Sequence, residues 1–154
     1  MLKHLGIIPD GNRRFSEKNG IGLEKAYIAG FDKAEEVFDW VLETPTINRA
    51  TIYALSTENF ERTSEELAVL TQLYDLYFRK LAKDRKIHGN EVKVRIIGRI
   101  NTLNGISDAI KGLHEATEDY DKYVLNIALG YGGRSEIFDA VKKIHEQGID
   151  FNKL

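Results

Sequence analysis

Lys3-His4-Leu5-Gly6-Ile7-Ile8-Pro9-Asp10-Gly11-Asn12-Arg13-Arg14 runs from an apolar stretch into a turn that holds one acid and two adjacent arginines. The apolar part, residues 3–8, reads as a short strand because it is β-branched or aliphatic and stops at turn formers. Pro9, Asp10, Gly11 and Asn12 each favour a turn for a separate reason, and a plain turn is the simplest reading of them in isolation. The same residues also offer a hard carboxylate oxygen for a cation such as Mg²⁺, a glycine that lets backbone approach a ligand, and forked arginine donors for phosphate oxygens.

Three more segments downstream read as strands: 49–55, 92–98 and 123–129. Between them the apolar residues change to helical spacing. Ala34, Val37, Phe38, Val41 and Leu42 fall on one face, and Leu67, Leu70, Tyr74, Tyr77 and Leu81 on another. The second of these helices opens on Thr63-Ser64-Glu65-Glu66, a capping box. Another helix is expected over about 104–118, and Ser135 is expected to cap a last one carrying Ile137, Val141 and Ile144. Strand and helix alternate, which predicts an α/β fold: a mostly parallel sheet with helices on both faces, in one domain over 1–154. At 154 residues such a domain buries about 70% of its unfolded surface without staples. The chain stops after a helix, where this pattern would place another strand.

In a parallel sheet the loops that follow the strands emerge at one edge, where open α/β folds bind ligands. Here those loops carry Asp10 to Arg14, Ser56 to Arg62, Gly98-Arg99, and Gly130-Tyr131-Gly132-Gly133-Arg134. Polar, cationic and glycine residues thus gather at one rim, and helix N-termini there would aim N–H groups at an anion. Polar strand-end loops are also common in any α/β protein, so the residues alone leave both readings open.

Several classes are disfavoured. With no cysteine there is no disulfide and no Cys-ligated zinc or iron–sulfur site. A net charge of −2 gives no overall attraction to nucleic acid. The P-loop, G-x-G-x-x-G, H-x-x-x-H and G-x-S-x-G patterns are absent, which weakens nucleotide, zinc-protease and covalent-hydrolase readings. The apolar runs are too short to span a bilayer, so a cytoplasmic location is expected, with contact at a membrane surface left open. Two helices carry more apolar residues than one stripe needs: Phe31, Val37, Phe38, Trp40, Val41 and Leu42, then Leu67, Leu70, Leu73, Tyr74, Leu76, Tyr77 and Phe78. Ordinary core is the simpler account, and an apolar cleft with the polar rim at its mouth is the sharper one.

Four segments taken together resemble the cis-prenyltransferases, the undecaprenyl and dehydrodolichyl diphosphate synthases. They are Ile8 to Phe15, Tyr53 to Arg62, Val94 to Gly98 and Leu125 to Arg134, in the family's order and over nearly the whole chain. The resemblance implies a transferase that adds isopentenyl diphosphate to an allylic diphosphate of farnesyl or geranylgeranyl type, with cis geometry and Mg²⁺. It implies Asp10 as the Mg²⁺ ligand that assists departure of the diphosphate. Gly11, Asn12, Arg13 and Arg14 would cradle that diphosphate, with Phe15 beside the same pocket. Ser56, Thr57 and Glu58 would line the substrate site, Asn59 would accept a proton, and Phe60 and Arg62 would complete the wall. The two apolar helices would form the tunnel for the growing chain.

The chain departs from the family at several places. Leu23 stands for an arginine of the diphosphate site, and Ala26-Tyr27 for glycine-histidine, so the cradle is expected to lose two polar contacts. Arg99 stands where aspartate is common, and Gly130 where asparagine is usual. The family's later segment supplies two arginines and a serine for isopentenyl diphosphate, a second Mg²⁺-binding glutamate and much of the homodimer interface. It is expected beyond Leu154, which makes this chain part of a longer enzyme with little or no activity alone. Two other readings stand beside this one: a non-catalytic subunit of a heteromeric prenyltransferase, and a generic phosphate-binding α/β domain.

Overall fold

The structure, a computed structural model, describes residues 3–100, 103 and 105–148. Its elements follow the chain as β1 (His4–Ile7), α1 (Asn12–Asn19), α2 (Leu23–Glu43), β2 (Arg49–Ser56), a 3₁₀ turn (Thr57–Glu61), α3 (Ser64–Leu81), α4 (Arg85–Gly89), β3 (Val92–Ile97), α5 (Ser107–Thr117), β4 (Tyr123–Tyr131) and α6 (Gly133–Glu146). The strands form one sheet in the order β1-β2-β4-β3, and every pair is parallel. The expected parallel α/β architecture is therefore present. The continuation expected after the last helix lies outside the described residues.

Alternation along the strands divides the sheet into two faces. Ala50, Ile52, Leu125, Ile127, Val92 and Val94 are buried and join one core with α2, α3 and α5. The opposite face carries Thr51 and Asn126, which bond to each other across β2 and β4, and His4, which bonds Thr51. Helix α6 has no buried residue, and Ile137, Phe138 and Val141 are exposed along it.

Some boundaries differ from the sequence reading for identifiable reasons. β1 ends at Ile7, because Pro9 has no N–H with which to continue the ladder, and Ile8 is exposed. Helix α6 starts three residues earlier than expected, with Gly132 in the capping position and Ser135 inside the first turn. Thr63 does cap α3, accepting from the Glu66 N–H at 3.3 Å, but the Glu66 carboxylate does not return to Thr63. It is turned to other partners, as described below.

The β2–β4 pairing slips where the strands leave the core. Tyr53 faces Ala128 and Leu55 faces Leu129, so Ala54 has no partner. Such a bulge re-aims side chains at the end of a strand. The carbonyl it frees is taken by the buried Tyr74 hydroxyl of α3, which donates to Ala54 O at 3.0 Å. Burial pushes that phenol's pKa up, so it remains a donor. Tyr53, Ala54, Leu55 and Ser56 in consequence all reach the same cavity.

Candidate active site

That cavity, about 290 Å³, lies between the buried face of the sheet and helices α2 and α3. Its walls include Phe31, Ala34 and Phe38 from α2, and Leu70, Tyr74, Tyr77, Phe78 and Leu81 from α3. Phe31 stacks on Tyr77 with centroids 4.3 Å apart and meets Tyr74 edge-on at 5.2 Å. The Tyr77 hydroxyl donates to Asp32 at 2.9 Å, and burial raises its pKa to about 12. The surplus apolar residues of the two helices thus divide. Most line the cavity or the core around it, while Trp40 and Leu76 point outward.

The mouth of the cavity holds Asp10, Asn12, Ser56, Asn59 and Arg62. Gly11 sets the first of these in place: its φ of +97° is a conformation that favours glycine, and it turns the chain into α1. Asp10 Oδ1 accepts from the Gly11 N–H at 2.6 Å and Oδ2 from Arg14 Nη2 at 2.7 Å. Both side chains of that ion pair are open to water, at 77% and 75% exposure. Asn12 approaches α2 at Gly30, where an added Cβ would come within 2.5 Å of Asn12 Oδ1. Asn59 is fixed by its own turn, since its Oδ1 accepts from the Ser56 N–H at 3.0 Å.

Other expected site residues stand elsewhere. Phe15 is 46% exposed and lines neither cavity nor core. Arg13 turns to Glu66, and Arg14 lies over Asp10. Thr57 packs on Gly132, and Phe60 on Gly130. Glu58 is outside the cavity lining; its own backbone N–H and the Ser56 hydroxyl hold its carboxyl below the usual range. The rim therefore divides into two concavities. The second, about 300 Å³, lies between Gly98-Arg99, Gly130 to Gly132 and α6, and Arg99 bridges to Asp139 there at 2.9 Å.

Behind the mouth is a group that sequence reasoning missed. The Glu66 carboxylate, with its side chain 5% exposed, accepts from Arg13 Nε at 3.0 Å, from Arg13 Nη2, from the Tyr27 hydroxyl and from Arg62 Nη1 at 3.1 Å. Arg62 Nη1 also donates to the Tyr27 hydroxyl at 2.7 Å. Hydrogen bonding from Arg13, above all, holds Glu66 below the ordinary glutamate range. Burial, reinforced by Glu66, pushes the Tyr27 phenol up. At that spacing Glu66 reads as half of a helix cap, so its second use had no signal in the sequence.

The comparisons with known proteins agree in direction. Residues 8–153 match the family model described as putative undecaprenyl diphosphate synthase. The chain is 42% identical over 149 residues to a tritrans,polycis-undecaprenyl-diphosphate synthase (geranylgeranyl-diphosphate specific) of Thermoplasma acidophilum, covering 96% of this chain and 57% of that one. It is 47% identical over 146 residues to the enzyme of the same name from Methanocaldococcus jannaschii, covering 94% and 52%. The chain thus spans little more than half the length of these relatives. Among solved structures, lavandulyl diphosphate synthase from Lavandula x intermedia, in complex with dimethylallyl diphosphate, superposes with a TM-score of 0.84 at 25% identity, covering 97% of this chain and 64% of that one. A probable undecaprenyl diphosphate synthase from Campylobacter jejuni superposes with a TM-score of 0.76 at 27% identity, covering 98% and 65%.

Proposed function

Since the chain belongs to the undecaprenyl diphosphate synthase family of cis-prenyltransferases, we propose that its cavity receives an allylic diphosphate, geranylgeranyl diphosphate first among them, for extension by isopentenyl diphosphate. One observation carries this reading: a mostly apolar cavity walled by Phe31, Phe38, Tyr74, Tyr77 and Phe78 opens at a mouth bearing Asp10, Asn12, Asn59 and Arg62. That is the shape of an amphiphile, with an apolar tail and an anionic head. The geranylgeranyl choice rests on the geranylgeranyl-diphosphate specificity of the relatives from Thermoplasma acidophilum and Methanocaldococcus jannaschii.

A magnesium ion fits the donors at this mouth. Among the described residues no three of His, Cys, Asp and Glu gather into a closed metal site. Asp10 alone offers an exposed carboxylate there, and Mg²⁺ characteristically binds through one or two carboxylates, waters and substrate phosphate oxygens. When bound, it supplies positive charge to the diphosphate oxygens as the allylic C–O bond breaks. Arg14, set over Asp10, and Arg62, held at the mouth by Tyr27, would add donors where that charge develops. The Asn59 amide, whose oxygen accepts from the Ser56 N–H, would on this reading take the proton released when the new C–C bond forms. Tyr74 and Phe78 hold the tail away from water.

The test is binding of the unreactive thiolo analogue of geranylgeranyl diphosphate, by calorimetry with Mg²⁺, against ATP and GTP. Saturable binding of the prenyl ligand is expected. Binding of the nucleotides alone would replace this reading with that of a generic phosphate-binding domain. Among the described residues no helix is long and apolar enough to cross a membrane.

A further inference from the structure

We propose that Tyr27 is a positioning residue that fixes the Arg62 guanidinium at the mouth of the cavity; this rests on the diphosphate reading of that mouth. The family resemblance made Tyr27 a loss, a phenol where the cradle usually has a histidine. The geometry gives the phenol another use. Tyr27 lies in the first turns of α2 and is almost wholly buried, yet it lines the cavity. Its hydroxyl has two partners and both are charged: it donates to Glu66 Oε1 and accepts from Arg62 Nη1 at 2.7 Å. Glu66 Oε1 accepts from the same Arg62 nitrogen at 3.1 Å.

One arginine nitrogen is therefore held by two acceptors from different helices, α2 and α3. An arginine side chain has several rotatable bonds, and a single acceptor leaves the guanidinium free to swing about that contact. Two acceptors on separate elements remove that freedom, so the remaining donors face one direction before any ligand arrives. Glu66 alone cannot do this, because Arg13 takes both of its oxygens as well. Tyr27 gives Arg62 a second acceptor, on a helix other than the one that carries Glu66. The phenol also suits the task chemically. It carries no charge of its own, so it orders the guanidinium without cancelling the positive charge that an anion needs.

A double-mutant cycle tests the assignment, using the thiolo analogue of geranylgeranyl diphosphate with Mg²⁺ as probe. Tyr27→Phe is expected to weaken binding about tenfold in the wild-type background, the scale of one hydrogen bond to a charged group. In an Arg62→Ala background the same change is expected to cost less than about twofold, because the residue it acts through is gone. A purely structural role would give equal losses in both backgrounds, and that result would overturn the proposal. A second readout needs no ligand. The ¹⁵N relaxation of Arg62 Nε–H is expected to report a rigid side chain in the wild type and a mobile one in Tyr27→Phe; an unchanged signal would also overturn it. Failure of the wild-type chain to bind the probe would instead refute the diphosphate reading, with the Arg62 signal still deciding whether Tyr27 holds the guanidinium.

Discussion

Asp10 and Glu66 are both acids paired with arginines at the carboxyl edge of one sheet, yet they sit in opposite media. Asp10 and Arg14 form their pair in water, four residues apart on a turn and the helix after it. Glu66 gathers Arg13, Arg62 and Tyr27 from three places in the chain and is shielded from solvent. In water a charge pair gains little from its Coulomb attraction and exchanges partners readily. In a buried setting each charge needs its partners, and removing one leaves the others desolvated and unmatched. The two groups therefore divide the labour of the rim. On the proposed reading the exposed pair would serve a ligand and a metal, and the buried group holds the elements around them in place.

Glu66→Ala should have the largest effect on stability. It removes the acceptor of Arg13 and of the Tyr27 hydroxyl and the charged acceptor of Arg62, and opens a polar void at the junction of α1, α2 and α3. A loss of about 3 kcal/mol is expected, with Tm about 8 °C lower for a domain of this size. Denaturant and thermal unfolding read it directly. A loss below about 0.5 kcal/mol would place Glu66 in the same class as Asp10 and dissolve the contrast.

Tyr74→Phe asks whether burial alone sets the size of such effects. Its hydroxyl serves one neutral acceptor, the Ala54 carbonyl freed by the bulge. The expected loss is about 1 to 2 kcal/mol, from a buried carbonyl left without its donor. A loss matching that of Glu66→Ala would show that shielding, and not the number of charged partners, governs the hub.

The difference between the two regions also explains what could be read in advance. Asp10 to Arg14 is contiguous, and its turn chemistry and arginines are visible side by side in the sequence. The strands and the long helices were likewise carried by local periodicity, as in Ala50 and Ile52 or Leu70, Tyr74 and Tyr77. Glu66 meets Tyr27 across 39 residues and Arg13 across 53, and no spacing rule joins them. The same holds for the bulge at Ala54, whose cause lies in the pairing of β2 with β4. The division of the rim into two concavities follows from Phe60 and Thr57 packing on Gly130 and Gly132, which again is a matter of tertiary contact.

Acid separates the two regions in a different way. The Glu66 carboxyl is held below its ordinary value first by hydrogen bonding from Arg13, and then by Tyr27 and the charge of Arg62. A depressed folded value means that the ionised form is favoured by folding. Its contribution is fully present above the unfolded glutamate value of about 4.3 and is lost as pH falls through the lower folded value. The stability difference between wild type and Glu66→Gln should therefore be flat above about pH 4.3 and shrink below it. A difference that stays constant down to the acid unfolding transition would mean that charge contributes nothing to the hub.

Asp10→Ala is expected to change stability least, within about 0.5 kcal/mol, because both partners of that pair are already hydrated. Its effect on binding should reverse sign with the metal, and that reversal tests the availability of the exposed pair. With Mg²⁺ present, loss of the carboxylate removes the metal's protein anchor, and the thiolo diphosphate should bind roughly tenfold more weakly. With Mg²⁺ chelated, the same substitution removes a negative charge from the mouth and releases Arg14 from its intramolecular partner. The anion should then bind the variant at least as well as the wild type. Weaker binding to the variant in both conditions would mean that Asp10 orders the turn instead of holding the metal. The exposed acid would then resemble the buried one in kind and differ only in degree.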